Sequence, residues 1–465
     1  MNTNDLVNSI FPTVWEDETA HLKSDNNPKG FVLGGQPAAG KSGLIKEVKE
    51  NLKGNVLVIN GDEFRKFHPD YKKLRDTHGD NWVSHTSDFS GKMTERFLEQ
   101  GIKEKLNIVI EGTFRTTEAP LKTLSDFKES DYETTVMIKT TDPEQSWKST
   151  IDRFNDALSM GEDTRAVPKD HHDLVVRNLA SNGQIVFDSG LADKFQVYSR
   201  EAKMFDSSDN QNSKSVKDSI FSVMYSKKII DSLSNDGLTP QDKPTAVIYD
   251  AFNQEGLKSA EQAITTKLNG NVRVIDRNEL VKLHPDYDSF KENPDELKKQ
   301  KNEFGQQAQD ILIEDAINKR LNVAIEQGFE NPETPTEMIQ DLNQAAYSVI
   351  GYVNGNKPQS LSTQIKTSET VNRMANGAEH IYEEKLTDQF IVEHNKQHLF
   401  DSNEPPRHGN AVSIAINAAH KGTSIQDELK ECFGVEVNKA REKISQEQAQ
   451  KQSQSQGYDK QSLGL

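Results

Sequence analysis

The sequence predicts an α/β protein, a mostly parallel sheet flanked by helices and built twice in tandem. Three observations carry this expectation. Short apolar runs of strand type alternate with amphipathic stretches of helical length. The first such run leads directly into a Gly/Pro-rich turn and a helix. A long segment of the first half then returns in the second. With 465 residues the chain admits two to three domains, and each half is long enough to bury a core.

Residues 1–28 read as one or two short helices ending at Asn27-Pro28. Lys29 to Gly34 is the first strand, and a helix is expected from Lys41 to Leu52. Asn55 to Asn60, Leu106 to Glu111 and Glu133 to Ile138 are the next three strands, each short, apolar and rich in β-branched residues. Residues 206–243, rich in Ser, Asp, Asn and Lys, read as a linker containing a helix.

The repeat sets the domain plan. Gly54 to Tyr71 and Gly270 to Tyr287 are identical at 11 of 18 positions, at an offset of 216. Leu106-Asn107-Ile108-Val109-Ile110-Glu111 recurs as Leu321-Asn322-Val323-Ala324-Ile325-Glu326 at an offset of 215, and Phe187-Asp188-Ser189 is matched to Phe400-Asp401-Ser402. Ordered anchors this far apart mean a duplicated domain, not a solenoid. The expected plan is a first domain over 1–205, the linker, a degenerate copy over 244–404 and a helical extension over 405–444. A Gln/Ser-rich tail over 445–465 has too little apolar content for a core and is expected to be disordered.

Composition excludes several partners. Lys plus Arg total 56 against 73 Asp plus Glu, a net charge of −17 that repels nucleic acid and anionic membrane over most of the surface. Any phosphate site must therefore be assembled locally. The one cysteine, Cys432, has no partner for an internal disulfide. No apolar run of membrane-spanning length occurs. The amino-terminal residues show no basic segment followed by an apolar one, so a cytoplasmic protein is expected.

Gly35-Gln36-Pro37-Ala38-Ala39-Gly40-Lys41-Ser42 matches G-x-x-x-x-G-K-[ST] in full, between a predicted strand and a predicted helix. That spacing wraps backbone N–H groups around phosphate oxygens and aims a helix N-terminus at the anion. Lys41 is then expected on the β- and γ-phosphates of ATP and Ser42 on Mg²⁺. The fold class becomes that of P-loop NTPases and kinases.

At the end of the second strand, Asp62 faces the crevice shared by the carboxyl ends of parallel strands. It is placed either as a general base or as the N-cap of the next helix. The repeat favours the base. In the second copy Lys41 aligns with Leu257, Asp62 with Asn278, Arg65 with Val281 and Arg115 with Glu330, while the His-Pro-Asp-Tyr run at 68–71 persists as 284–287. Charged chemistry is lost where the scaffold is kept. The degenerate loop Ala251 to Lys258 has no lysine at the critical position and carries Glu255, so it is expected to bind ATP poorly or not at all. Glu111 is read either as a ligand to Mg²⁺ or acceptor, or as structural, since Glu326 keeps it. Thr113 and Arg115 suit a polar or anionic substrate. His171-His172-Asp173 reads as a helix surface, because adjacent helical side chains diverge and no further ligand is suitably spaced.

Taken in order, Gly34 to Ser42, Asn60-Gly61-Asp62-Glu63-Phe64-Arg65, Glu111-Gly112-Thr113-Phe114-Arg115, and Arg165 followed by Pro168 to Asp173 resemble the zeta-toxin family of toxin–antitoxin kinases. The resemblance covers roughly residues 5–200. It implies phosphorylation of a sugar hydroxyl of UDP-N-acetylglucosamine or a related UDP-sugar, with ATP and Mg²⁺, and a small helical antitoxin as partner. By it Asp62 is the base, Lys41 and Ser42 hold ATP and metal, and Glu111 supports the metal. Arg153 and Arg165 stabilise the transferring phosphoryl group, and Glu95, Thr113, Arg115 and Thr123 contact the UDP-sugar. Two departures stand out: Ala39 where many members have Gly, and the second copy itself. Competing expectations are a P-loop kinase for another hydroxyl compound, such as an antibiotic, and a non-catalytic nucleotide-binding module.

Overall fold

Among the described residues, six strands in each half pair in the same spatial order. A computed structural model describes residues 2–160, 164, 166–209, 214–233, 237–357, 365–404 and 412–431. The chain divides into two compact units, Met1–Lys228 and Ile229–Leu465. In the first, β1 (Lys29–Gly34), β2 (Leu57–Ile59), β3 (Ile108–Glu111), β4 (Glu133–Lys139), β5 (Lys194–Tyr198) and β6 (Lys203–Asp206) form one sheet in the order β2-β3-β1-β4-β5-β6. All neighbours are parallel except β5 and β6. In the second, β7 (Thr245–Ala251), β8 (Arg273–Ile275), β9 (Val323–Glu326), β10 (Ser348–Asn354), β11 (Gln389–His394) and β12 (Gln397–Asp401) repeat that order as β8-β9-β7-β10-β11-β12. Again only the last pair is antiparallel.

Buried parallel strands read as near-continuous apolar runs because helices cover both faces. Leu33, Ile59, Ile108, Val109, Val136 and Ile138 accordingly have essentially no exposed surface. One face packs Leu44 and Val48 of the helix Lys41–Asn51 onto Leu33, Val109 and Met137. The second unit places Leu257, Ala260 and Ile264 of the helix Gln254–Lys267 on Val247, Tyr249 and Ala324. The amino-terminal helix is single, Thr3–Thr19, capped by the Asn2 side chain on the Asp5 amide. Within the expected linker the helix Val216–Ser232 is present, and within the expected extension the helix Val412–Lys421. The tail over 445–465 lies outside the described residues. Among the described residues no helix is long and apolar enough to cross a membrane.

The third repeat anchor needs correction. Phe187 and Asp188 end the helix Lys169–Asp188, whereas Phe400 and Asp401 belong to β12. The true counterpart is Phe205-Asp206-Ser207, at and just after the end of β6. Ser207 exchanges two hydrogen bonds with Phe195, as Ser402 does with Phe390. The offset thus falls from 215 at Glu111 to 195 at Phe205. The cause is local. The first unit uses residues 140–168 between β4 and its next long helix, and these include the helix Pro143–Ser159. The second joins β10 to the helix Ser368–Glu383 through residues 355–367 alone. The helix bearing Arg153 has no counterpart there among the described residues.

Candidate active site

Strand register brings the motif residues together. Leu33 pairs with Glu111 across β1 and β3, and Ile59 with Ile110 across β2 and β3. The phosphate loop, Glu111 and the Asn60–Asp62 corner therefore leave the sheet side by side, at the crevice where the strand order reverses.

The loop is held open by backbone demands that its sequence meets. Gly35 has φ +136°, and a Cβ there would run into the Lys139 carbonyl oxygen. Ala38 and Gly40 also take positive φ. Buried Gln36 ties the loop to the end of β4, its amide donating to Thr141 O (2.6 Å) and accepting from Thr140 Oγ1 (2.8 Å). No side chain caps the helix that starts at Lys41, so its first-turn amides face the loop. The Lys41 side chain is 8 % exposed and donates to the carbonyls of Gly35 (3.0 Å) and Gln36 (3.2 Å). Its Nζ lies 3.6 Å from Glu111 Oε1. Burial pushes the Lys41 ammonium below its ordinary pKa, against Glu111 and Asp62, which favour the charge, and with Arg153, which opposes it. Four groups proposed for chemistry thus share one electrostatic neighbourhood.

Asp62 is not the helix cap. Asn60 is: its Oδ1 accepts from the Asp62 amide (3.0 Å), while its Nδ2 donates to Glu111 Oε2 (3.1 Å). The Asp62 carboxylate is left half exposed and accepts from Arg65 Nε at 3.0 Å. Thr113 is half-buried in the loop after β3, and Arg115 is exposed with Nη1 3.5 Å from His171 Nδ1. That loop is fixed by Asn182, which donates to the carbonyls of Phe114 and Arg115, and by Asn178 on Arg115. Arg153 is exposed on the helix Pro143–Ser159, whose start is fixed by Asp142 capping the Gln145 amide and by Pro143. Ser42 is exposed at the start of its helix, and Glu95 is exposed on the helix Trp82–Lys103. Thr123 lies on the buried face of the helix Glu118–Glu129 with Pro120, Leu124 and Phe127. Arg165 lies outside the described residues.

His172 is not a surface residue. It is 1 % exposed, with Nε2 at 2.8 Å from Ser146 Oγ and its ring against Trp147, locking the helices Pro143–Ser159 and Lys169–Asp188 together. Burial lowers its pKa despite Asp173 beside it. The sequence also gave no sign of Arg200, which donates to Ala38 O (3.0 Å) and Ser149 Oγ (2.9 Å), bracing the loop against the Arg153 helix.

Comparison with known proteins places the chain. The family model described as Zeta toxin matches residues 12–211 and again 238–364. The chain belongs to the Zeta toxin family. It is 35% identical over 197 residues to Toxin PezT of Streptococcus pneumoniae, covering 42% of this chain and 78% of that protein. To Toxin zeta of Enterococcus hirae it is 34% identical over 206 residues, covering 43% and 72%. The solved PezAT chromosomal toxin–antitoxin system of Streptococcus pneumoniae aligns at 30% identity and a TM-score of 0.44, over 48% of this chain and 89% of that chain.

The second Zeta toxin unit has the same frame with its cradle filled. Asn253 caps the helix Gln254–Lys267 through the Gly256 amide (2.9 Å), taking up a donor at a helix end that has no side-chain cap in the first unit. At the position of Gly34 stands Asp250, 2 % exposed, gripped by Lys366 Nζ at 2.8 and 2.9 Å and by the Phe329 amide. Lys366 also meets Glu330, the counterpart of Arg115, at 2.7 Å. Glu326 is kept but neutralised by Arg277 (3.0 Å), which replaces Gly61, and by Lys301 (3.2 Å). Asp276 caps the following turn and holds Asn278. His68 and His284 each accept from an amide two residues on, at 3.1 and 3.0 Å, and each packs edge-on to a phenylalanine. That role is structural.

Proposed function

We propose that the first unit is an ATP-dependent kinase for a sugar hydroxyl of UDP-N-acetylglucosamine or a related UDP-sugar, and that the chain acts as the toxin of a toxin–antitoxin pair. The observation that carries this reading is the meeting of an uncapped phosphate loop, Lys41, Glu111 and the half-exposed Asp62 at one crevice. The residues fit the groups they are asked to hold. Gly35 and Gly40 admit phosphate close to the backbone, and the helix N-terminus favours the anion. Ser42 and Glu111 offer the hard oxygen donors that Mg²⁺ takes, and the ion neutralises charge on the transferring phosphate.

In this reading Asp62 accepts the proton of the acceptor hydroxyl as that oxygen bonds the γ-phosphorus and the bond to the β-phosphate bridging oxygen breaks, leaving ADP. Lys41 exchanges its two loop carbonyls for β- and γ-phosphate oxygens. Arg153 and Arg165 bring positive charge to the equatorial oxygens, and Glu95, Thr113, Arg115 and Thr123 are assigned to the UDP-sugar. Charge on the whole molecule disfavours a nucleic-acid acceptor. A small antitoxin is the expected partner, because relatives of this chain are toxins and the similar PezAT structure is a toxin–antitoxin system.

The test is incubation of the full chain with γ-labelled ATP, Mg²⁺ and a panel of UDP-sugars. Label should pass to a UDP-sugar in the wild type. Asp62→Asn should lower transfer by roughly 10³-fold or more while ATP binding persists. Full turnover by that variant removes Asp62 from the base role. ATP binding with transfer to no UDP-sugar removes the acceptor assignment.

A further inference from the structure

We infer that Arg65 is the positioning residue of the proposed base, a guanidinium locked into the protein that fixes the Asp62 carboxylate in its working orientation. The inference rests on the kinase reading above and extends it to a residue outside the phosphate and acceptor sets.

Four observations converge. Arg65 Nε donates to Asp62 Oδ1 at 3.0 Å. Its Nη1 is spent on the Val83 carbonyl (2.9 Å) and on Thr86 Oγ1 (3.0 Å), both from the long helix Trp82–Lys103. Thr86 has no exposed surface, so the anchor is set in packed interior. The Arg65 side chain is 13 % exposed while that of Asp62 is 50 % exposed. An ordinary surface pair three residues apart has both ends in water and contributes little. Here one end is rigid and the other reaches into the crevice.

A half-exposed carboxylate on a short turn samples several rotamers, and a base must lie within hydrogen-bond reach of the proton it takes. The turn Gly61–Phe64 is capped at its backbone by Asn60, and the Arg65 guanidinium holds the Asp62 carboxylate beyond it. The guanidinium also favours the ionised, proton-accepting form of the carboxylate, since an opposite charge at this distance opposes protonation. The second unit supplies the contrast. Where Asp62 becomes Asn278, Arg65 becomes Val281, 2 % exposed, and the Asn278 side chain turns back onto Asp276. Base and clamp are lost together while His284, Pro285, Asp286 and Tyr287 around them remain.

The experiment uses the full chain and three variants. Arg65→Gln removes the charge, Arg65→Lys keeps it without the forked reach, and Thr86→Val removes one anchor at constant shape. Two readouts are taken: the pH profile of kcat for transfer to a UDP-sugar, and the titration of the Asp62 carboxyl followed by ¹³C NMR, assigned with Asp62→Asn. Arg65→Gln should lower kcat on the order of 10- to 100-fold with KM for ATP unchanged, as misplaced catalytic groups do. Its acid limb and the Asp62 titration should both move upward by about one pH unit. Arg65→Lys should restore the limb but not the full rate, and Thr86→Val should lower kcat less than Arg65→Gln does. If the wild type phosphorylates no UDP-sugar, the acceptor reading fails, and the NMR titration still decides the role of Arg65. An Asp62 titration unmoved in Arg65→Gln, in a chain shown folded by circular dichroism, overturns the proposal. So does a loss confined to KM for ATP.

Discussion

Replacing Lys366 by Met should destabilise the second unit by about 3–5 kcal/mol and leave the first untouched. The figure follows from what the substitution strands. Asp250 is 2 % exposed, and Lys366 is its ammonium partner at 2.8 and 2.9 Å. Burial works against the Lys366 charge, but Asp250 and Glu330 outweigh it and hold the amine above its ordinary pKa. Burial likewise pushes the Asp250 carboxyl up, against the pull of Lys366. Removing one partner of such a pair costs far more than the net worth of the pair, because the remaining charge stays desolvated. For a unit of this size the loss corresponds to a fall in midpoint of roughly 10 °C.

The assay is favoured by composition. The three tryptophans, Trp15, Trp82 and Trp147, all lie in the first unit. Tryptophan fluorescence therefore follows that unit, and far-ultraviolet circular dichroism follows both. The deficit should shrink as pH falls from 7.5 to 5.5, since the unpaired Asp250, with its raised pKa, takes up a proton and ceases to be a buried charge. Adding Asp250→Asn, which retains an acceptor for the Phe329 amide, should recover most of the loss. A second-unit transition that stays within about 0.5 kcal/mol of wild type at pH 7.5 refutes the reasoning, and so does a double variant no better than the single.

Three further outcomes are expected. Gly35→Ala should abolish ATP binding measured by calorimetry, because the new Cβ meets the Lys139 carbonyl and the backbone sits at φ +136°; wild-type affinity would contradict the loop geometry. Asn253→Ala should cost the second unit about 1 kcal/mol by denaturant titration, with no gain of nucleotide binding, since Leu257 still stands where Lys41 does. Glu326 is buried, which raises its pKa, yet Arg277 and Lys301 outweigh that and hold it below the ordinary value of 4.5. Its stabilising contribution is complete above that value and is lost as pH falls through the lower folded one. Acid unfolding of Glu326→Gln below pH ~4.5 should be correspondingly less steep.

Much of this was legible in the residues. The phosphate loop is a local motif whose spacing is dictated by backbone geometry, and the Gly54–Tyr71 repeat is long enough to be unambiguous. A tripeptide is not. Phe-Asp-Ser occurs twice in the first unit, at 187–189 and 205–207, and only strand pairing shows which copy answers Phe400-Asp401-Ser402. The shorter connection between β10 and the following long helix, together with that helix being shorter itself, then gives the shifted offset. Position alone left Asp62 balanced between capping and proton transfer, because both suit an aspartate after a strand. The Asn60 side chain takes the cap, which removes the first role and leaves the second as the proposal. His172 escaped because helical periodicity does not say which neighbour covers a face. Arg200 escaped because its partner Ala38 is 162 residues away along the chain.

The Asn253 cap has a consequence for how ligands read out on this molecule. With that helix end already satisfied from within, nucleotide is expected to be linked thermodynamically to one half of the chain only. At a free concentration a hundred times its Kd, ATP should add about 2.7 kcal/mol to the unfolding free energy of the first unit and nothing to the second. The silent half then serves as an internal thermometer, a fixed transition in every melting curve against which occupancy of the other can be measured.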